Sequence, residues 1–370
     1  MLKLACPQHA LLEGVQIVSR GVSGRSTQPV QNNVYLEGRG RELRLVATDL
    51  EYLSLEALLE ANVLEEGATT VPARILSEVA SALPNEEVAL EADETHGMNI
   101  RCGRSRYEIR GLSAADFTML PPLEQAVRFE MPQGQLETIL ARTVFATSRD
   151  ETRPILTGAL FRIAEERLEV VATDTYRLAL QTAPLEGVGD VTRSAIVSRR
   201  ALTELARILD GDSPDPVQVA IGDSQVEFRL GKVTLGSRLI EGQFVNYAKV
   251  IPASYERRII ANIKELSAAL HRALIVARED ANRVVLKTEG GTLKITASSQ
   301  DVGHAEESIP VTLEGDDAEI AFNARYLLDM LDAVNTTEVV MELSGPLNSG
   351  AIKPVGDDTY LYVLMPMQIL

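Results

Sequence analysis

The chain has 370 residues, 45% of them hydrophobic and 24% charged, with a formal net charge of −17. That length exceeds one compact core and fits two or three domains. No apolar run approaches the ~18 residues of a membrane-spanning helix. The absence of Trp and an aromatic content of only 4% argue against base stacking as a way of holding single strands. Taken alone, the acidity also counts against nucleic acid, because a DNA-binding surface needs Lys and Arg to displace counterions. No apolar stretch of signal-peptide length precedes Leu4-Ala5-Cys6. Cys6 and Cys102 match no ligand spacing and suit buried thiols in a reducing cytoplasm.

Taken in chain order, the predicted elements repeat. Leu11, Val15 and Val18 share one helical face, and Leu43-Arg44-Leu45-Val46 alternates as a strand. Val46-Ala47-Thr48-Asp49 follows, and Val71-Pro72-Ala73-Arg74 opens a second helix with Ile75, Val79 and Ala82 on one face. The same series then returns. Leu136, Ile139, Leu140 and Val144 mark a helix, Leu168-Glu169-Val170-Val171 a strand, and Val171-Ala172-Thr173-Asp174 repeats the first marker 125 residues on. Val197-Ser198-Arg199-Arg200 opens the helix carrying Leu202, Leu205 and Leu209. A third copy carries Leu266, Leu270, Ala273 and Ala277, then Leu293-Lys294-Ile295-Thr296. The weaker marker Thr296-Ala297-Ser298-Ser299 comes next, and Phe322-Asn323-Ala324-Arg325 lies before Leu327, Leu331 and Val334. Two markers in step at one long period give whole domains, not a solenoid. The fold class is α+β, with domains expected at 1–124, 125–252 and 253–370.

Charge is spread unevenly over these domains, at −7, −2 and −8 in chain order. On helical projection Arg142 and Arg149 fall opposite the apolar stripe of their helix, and Arg200 and Arg207 opposite that of theirs. Arg20 and Arg272 fall similarly, whereas Arg325 shares its face with Asp329 and Asp332. An acidic molecule with one basic inner surface holds DNA there without sequence readout and repels it elsewhere.

The three-unit order resembles the beta subunit of bacterial DNA polymerase III, the sliding clamp, over the whole chain. The resemblance is carried by Gly103-Arg104-Ser105-Arg106-Tyr107, Ala114-Ala115-Asp116-Phe117, Ala172-Thr173-Asp174-Thr175-Tyr176-Arg177-Leu178-Ala179, Phe322-Asn323-Ala324-Arg325-Tyr326-Leu327-Leu328 and Tyr362-Val363-Leu364-Met365-Pro366-Met367. It implies three clamp domains with helices lining a ring and antiparallel sheets outside, closed as a head-to-tail homodimer. The ring encircles duplex DNA, slides and tethers the replicative polymerase, and it is loaded by a clamp loader. For DNA, the resemblance together with the helix faces puts forward Arg25, Arg74, Arg142, Arg149, Arg199, Arg200 and Arg207. Asp150 stands where the family carries Gln. A pocket for a short partner peptide is implied at Arg153, Leu156, Thr173, Thr175, Tyr176, Arg177, Leu178, Val245, Lys249, Val250, Leu347, Ser349, Met365, Pro366 and Met367. The two methionines suit an adaptable apolar site, and the Arg and Thr side chains suit polar groups of the peptide. Val245, Lys249 and Thr175 depart from the Pro, Arg and Gly common in the family. A protomer interface is implied at Arg104, Arg106, Ile109, Ile275, Val276, Glu306 and Glu307, with the two acids pairing with Arg104 and Arg106.

Chemistry is not expected. His9, His96, His271 and His304 form no metal-ligand spacing, and Gly38-Arg39-Gly40 is only the start of a dinucleotide fingerprint. Asp210-Gly211-Asp212-Ser213-Pro214-Asp215 lacks the spaced Glu of a calcium loop. The expectation is therefore a cytoplasmic, nucleoid-associated protein with no catalytic residue, cofactor, metal or membrane partner. Three rival readings are a repeat scaffold binding only proteins, a hydrolase whose site assembles in space, and a diverged clamp paralogue without polymerase binding.

Overall fold

The computed structural model describes residues 1–22, 28–189 and 191–369. Among them lie six α-helices: α1 (Gln8–Val18), α2 (Ala73–Ala82), α3 (Gln133–Thr143), α4 (Arg199–Ile208), α5 (Ile263–Ala277) and α6 (Ala324–Asp332). Each of the three repeats thus contributes two. The apolar stripes read from the sequence are buried in α1 (Leu11, Val15 and Val18), α4 (Leu202 and Leu205) and α5 (Leu266, Leu270, Ala273 and Ala277), whereas in α2 Val79 is buried but Ile75 is half-buried and Ala82 exposed, and Leu76 and Ala80 face the core instead. Helix starts follow side-chain chemistry. Ser198 Oγ accepts from the Ala201 N–H, and Asn262 and Asn323 each accept from two backbone N–H groups of the first turn of α5 and α6.

The repeated Thr–Asp pair opens a hairpin turn built from side-chain hydrogen bonds. Thr48 Oγ1 donates to the Leu53 carbonyl and accepts from the Leu50 N–H, while Asp49 Oδ1 accepts from the N–H groups of Glu51, Tyr52 and Leu53. Thr173 and Asp174 do the same with Arg177, Thr175 and Tyr176. In the third copy Ser299 Oγ accepts from Asp301 and Val302. Only a short side chain ending in oxygen serves these positions, which is why the marker recurs.

The described chain forms two compact units, and the middle repeat is divided between them. The first comprises Met1–Glu137, Leu185–Val188 and Val197–Ile240. It holds a five-stranded and an eight-stranded sheet. In the larger, Val233–Arg238 of the second repeat pairs antiparallel with Ser54–Glu60 of the first. The second unit comprises Thr138–Pro184, Gly189–Ile196 and Glu241–Leu370. There Arg177–Pro184 pairs antiparallel with Tyr360–Leu364, so strands of the second and third repeats share one twelve-stranded sheet. Backbone ladders that cross repeat boundaries make compact units that differ from sequence repeats.

Salt bridges reinforce both junctions. Within the first unit, Arg200 of α4 pairs with Asp49 of the first turn at 3.0 Å. Within the second, Arg177 of the second turn pairs with Asp329 of α6 at 2.5 Å. The same device, helix to preceding turn, recurs with its charges exchanged.

Candidate functional site

In the second unit, a cleft of about 160 Å³ opens between the Thr173–Arg177 turn, the segment around Val245–Val250 and the last strand. Leu178 and Val363 form a buried floor, and Val245, Val250 and Met365 stand partly exposed around it. Met365 is positioned by its backbone N–H, which donates to the Tyr176 carbonyl at 2.9 Å. The wall at Tyr247 is fixed by its hydroxyl, which donates to Glu169; burial and that carboxylate push the phenol pKa up to about 12. A larger recess of about 380 Å³ in the same unit is bordered by the charged Arg257, Asp317 and Glu319. The smaller cleft is the better site for an apolar segment because its walls are chiefly apolar.

Of the fifteen pocket residues read from the sequence, the structure brings together Thr173, Thr175, Arg177, Leu178, Val245, Val250 and Met365. Tyr176 and Leu347 lie beyond this lining, 62% and 72% exposed, and Lys249 is exposed. Leu156 is buried, Arg153 is an exposed side chain paired with Asp150 at 3.0 Å, and Ser349 Oγ donates to the Val250 carbonyl at 3.4 Å. Pro366 and Met367 are half-buried and outside the cleft lining, and Met367 bridges through its main chain to Ala321. Asn246, Tyr247 and Val363 line the cleft and were missed. Val363 was legible, since it lies two residues from Met365 in the same terminal string. Asn246 and Tyr247 had no signal.

Arg177 corrects an expectation. It lines the cleft but is only 9% exposed, and its guanidinium is already occupied. It donates to Asp174 at 3.0 Å, Asp329 at 2.5 Å and the Phe145 carbonyl at 2.9 Å, and it lies 4.2 Å from the Tyr326 ring centroid. Burial works against its charge, but Tyr362, Asp329 and Asp174 outweigh it and raise its pKa. Thr173 likewise spends its hydroxyl on its own turn. These polar groups shape the cleft, and the bonds named here are made within the protein.

The arginines proposed for DNA divide in the same way. Arg25 lies outside the described residues. Arg74 is exposed with a single surface partner, Glu78, and Arg207 pairs with Glu204 on its own helix. Arg149 is exposed and has no ion pair among the described residues. Arg199 is half-buried and engaged, and Arg200 holds Asp49 and the Val22 carbonyl. Arg142 is a correction. Its side chain donates to Asp357 at 2.7 Å and Gln181 at 3.0 Å and lies over the Tyr360 ring. The helix face opposite its own core packs against the neighbouring repeat, so this arginine is structural.

At the proposed interface, Arg104 and Arg106 are exposed beside and within Ser105–Arg110, the edge strand of the five-stranded sheet. Ile275 is 64% exposed and Val276 half-buried. Glu306 is exposed. Two expectations are corrected here. Ile109 is 6% exposed, because it points inward where its neighbours on the strand point outward. Glu307 is bound by Arg272 of its own chain at 2.9 and 2.6 Å, and that contact lowers its pKa. It is therefore not free for Arg104 or Arg106.

The profiles of the DNA polymerase III beta subunit match the chain in three consecutive pieces: its N-terminal domain at residues 2–121, its central domain at 130–246 and its C-terminal domain at 248–368. The chain belongs to this family. The beta sliding clamps of Escherichia coli K12 and Synechocystis are 34% and 35% identical to it, each over the full length of both chains. The solved sliding clamp of Bacillus subtilis covers all of both chains at a TM-score of 0.95 and 29% identity. A Pseudomonas aeruginosa sliding clamp bound to griselimycin does so at 0.94 and 31%.

Thr175 has a φ of +81°, in the left-handed region that a β-branched side chain resists. Its backbone N–H donates to Thr173 Oγ1, a bond that glycine would keep. Thr175→Gly is expected to raise the stability of this unit by about 1 kcal/mol. Chemical denaturation checks this, and a variant of lower stability would show that the turn stores no such strain.

Proposed function

We propose that this chain is the processivity factor of a DNA polymerase: a ring that encircles duplex DNA, slides without sequence readout and tethers the replicative polymerase and other partners. The observation that carries the reading is agreement with solved sliding clamps along the entire chain, at a TM-score of 0.95. The ring closes as a head-to-tail homodimer, using Arg104, Arg106, Ile275, Val276 and Glu306. Six similar domains allow such a heterologous contact to close instead of polymerising. The domains divide at 1–124, 125–252 and 253–370. Arg74, Arg149 and Arg207, with Arg25, Arg199 and Arg200, supply the phosphate contacts. Binding by a few such contacts is weak and salt-dependent, which suits sliding.

The cleft around Leu178 and Met365 takes the clamp-binding peptides of the polymerase, the clamp loader and other partners, and it is the natural site for griselimycin in this chain. Tyr176, exposed between the lining residues Thr175 and Arg177, extends the apolar surface of the cleft. Lys249 keeps a cation at the rim where the family carries Arg, but without Arg's planar fork. The protein acts as a non-catalytic accessory subunit in the cytoplasm, on the nucleoid. A scaffold binding only proteins accounts less well for exposed Arg149 and Arg74. Primer extension on a singly primed circle tests the reading. With the cognate polymerase and clamp loader, the chain is expected to lengthen products made in one binding event at least tenfold, by the logic of converting rebinding into a tethered event. Product lengths unchanged by its addition would contradict it.

A further inference from the structure

We infer that Asp329, a residue on α6 outside the cleft lining, is a positioning residue for the cleft, acting through Arg177. This rests on the reading of the cleft as a peptide site. The chain of contacts is continuous and lies within one unit. Asp329 Oδ2 accepts from the Arg177 guanidinium at 2.5 Å, and Asp174 Oδ2 accepts from its Nε at 3.0 Å. The other oxygen of Asp174 holds the N–H groups of Tyr176 and Arg177, so one carboxylate fixes both the guanidinium and the turn. That turn carries Thr175 at a disfavoured φ of +81°, a conformation that persists only where its surroundings hold it. The carbonyl of Tyr176 in turn accepts from the backbone N–H of Met365, which lines the cleft beside the turn.

Loss of the Asp329 charge therefore loosens the turn and the Met365 wall together. The cleft then has to be ordered when the peptide arrives, and affinity falls by that ordering cost. The contact also ties the turn of the second repeat to a helix of the third, the same two repeats that supply Leu178 and Val363 to the floor. Because Arg177 is largely buried, its ion pair is screened little by salt.

The test is titration of a fluorescein-labelled peptide, made from the C-terminal residues of the cognate replicative polymerase, into the full chain. Asp329→Asn is expected to weaken binding about tenfold, as loss of a supporting contact does to a preorganised site. Asp329→Glu restores it. Asp332→Asn, which removes the same charge from the exposed end of α6, leaves affinity within about twofold of the parent, because exposed charges at a distance are screened. Arg177→Lys, which keeps the charge but loses the fork, weakens binding in the same direction as Asp329→Asn. Melting temperatures are measured alongside, since a merely structural role shifts the melt without changing affinity far below it. Unchanged peptide affinity in folded Asp329→Asn overturns the inference, and so does equal weakening by Asp332→Asn. If the parent chain does not bind the peptide, or binds it undiminished after Leu178→Ala with Met365→Ala, the peptide reading itself fails and takes this inference with it.

Discussion

Replacing Leu178 and Met365 together with alanine is expected to weaken binding of the polymerase peptide by about a hundredfold or more, the fold-change that corresponds to roughly 3 kcal/mol. Leu178 is the buried floor of the cleft and Met365 its flexible, partly exposed wall. An apolar anchor seated between them loses contact on two sides. Truncated contacts at the centre of an interface cost roughly 1–3 kcal/mol each. Leu347→Ala provides the comparison. Leu347 is exposed and lies outside the lining, so its loss is expected to cost less than tenfold, as for a peripheral contact. Fluorescence anisotropy with a labelled peptide distinguishes these outcomes. Undiminished binding by the double variant would place the peptide elsewhere.

Arg142→Ala is expected to destabilise the second unit by about 3 kcal/mol, in the range for breaking a largely buried ion pair. Its side chain and that of Asp357 are only 12% and 23% exposed, and the guanidinium also holds Gln181. Removal takes the cation from the Asp357 carboxylate, which keeps only its bonds from Thr359, and a donor from the Gln181 amide oxygen. DNA affinity and its salt dependence are expected to stay unchanged. Arg149→Ala gives the opposite pattern. Its side chain is exposed and without an ion pair among the described residues, so stability is kept. The slope of log affinity against log salt is expected to fall by about 1, the signature of one lost phosphate contact. Thermal melts and salt titrations on duplex DNA separate the two roles. An Arg142 variant of parental stability and reduced salt slope would reverse this assignment.

The repeat was legible because its turns depend on particular side chains. Thr48 with Asp49 and Thr173 with Asp174 satisfy backbone groups that other residues cannot reach, so the spacing of 125 residues survives in the sequence. Helix positions were legible because burial follows the helical period, as in Leu266, Leu270, Ala273 and Ala277. The surface roles of arginines were less legible. A helical projection reports where a side chain stands relative to its own core, and says nothing of a partner 215 residues away such as Asp357 for Arg142. Arg177 and Asp329, 152 residues apart, escaped for the same reason. Ile109 was misplaced because its inward direction is set by the register with Met98 on the adjacent strand, which no local pattern reveals. Two apolar members of the cleft lining, Leu178 and Met365, were legible in strings that resemble the family, whereas Val363 in one of the same strings was passed over and Leu347, Pro366 and Met367 lie outside the lining. Its internal polar bonding was not, because hydrogen-bond partners are fixed only once the repeats are docked.

The corrected placements leave the central claim standing on topology. A ring holds DNA by enclosing it, and its weak phosphate contacts need supply no lasting affinity. Loading the protein onto a nicked circular duplex, removing free protein, and then cutting the circle at one site tests this most directly. The protein is expected to stay on the circle through gel filtration and to be lost within minutes of cutting, when it slides off the new ends. Retention on the linear product at the level of the intact circle would contradict it.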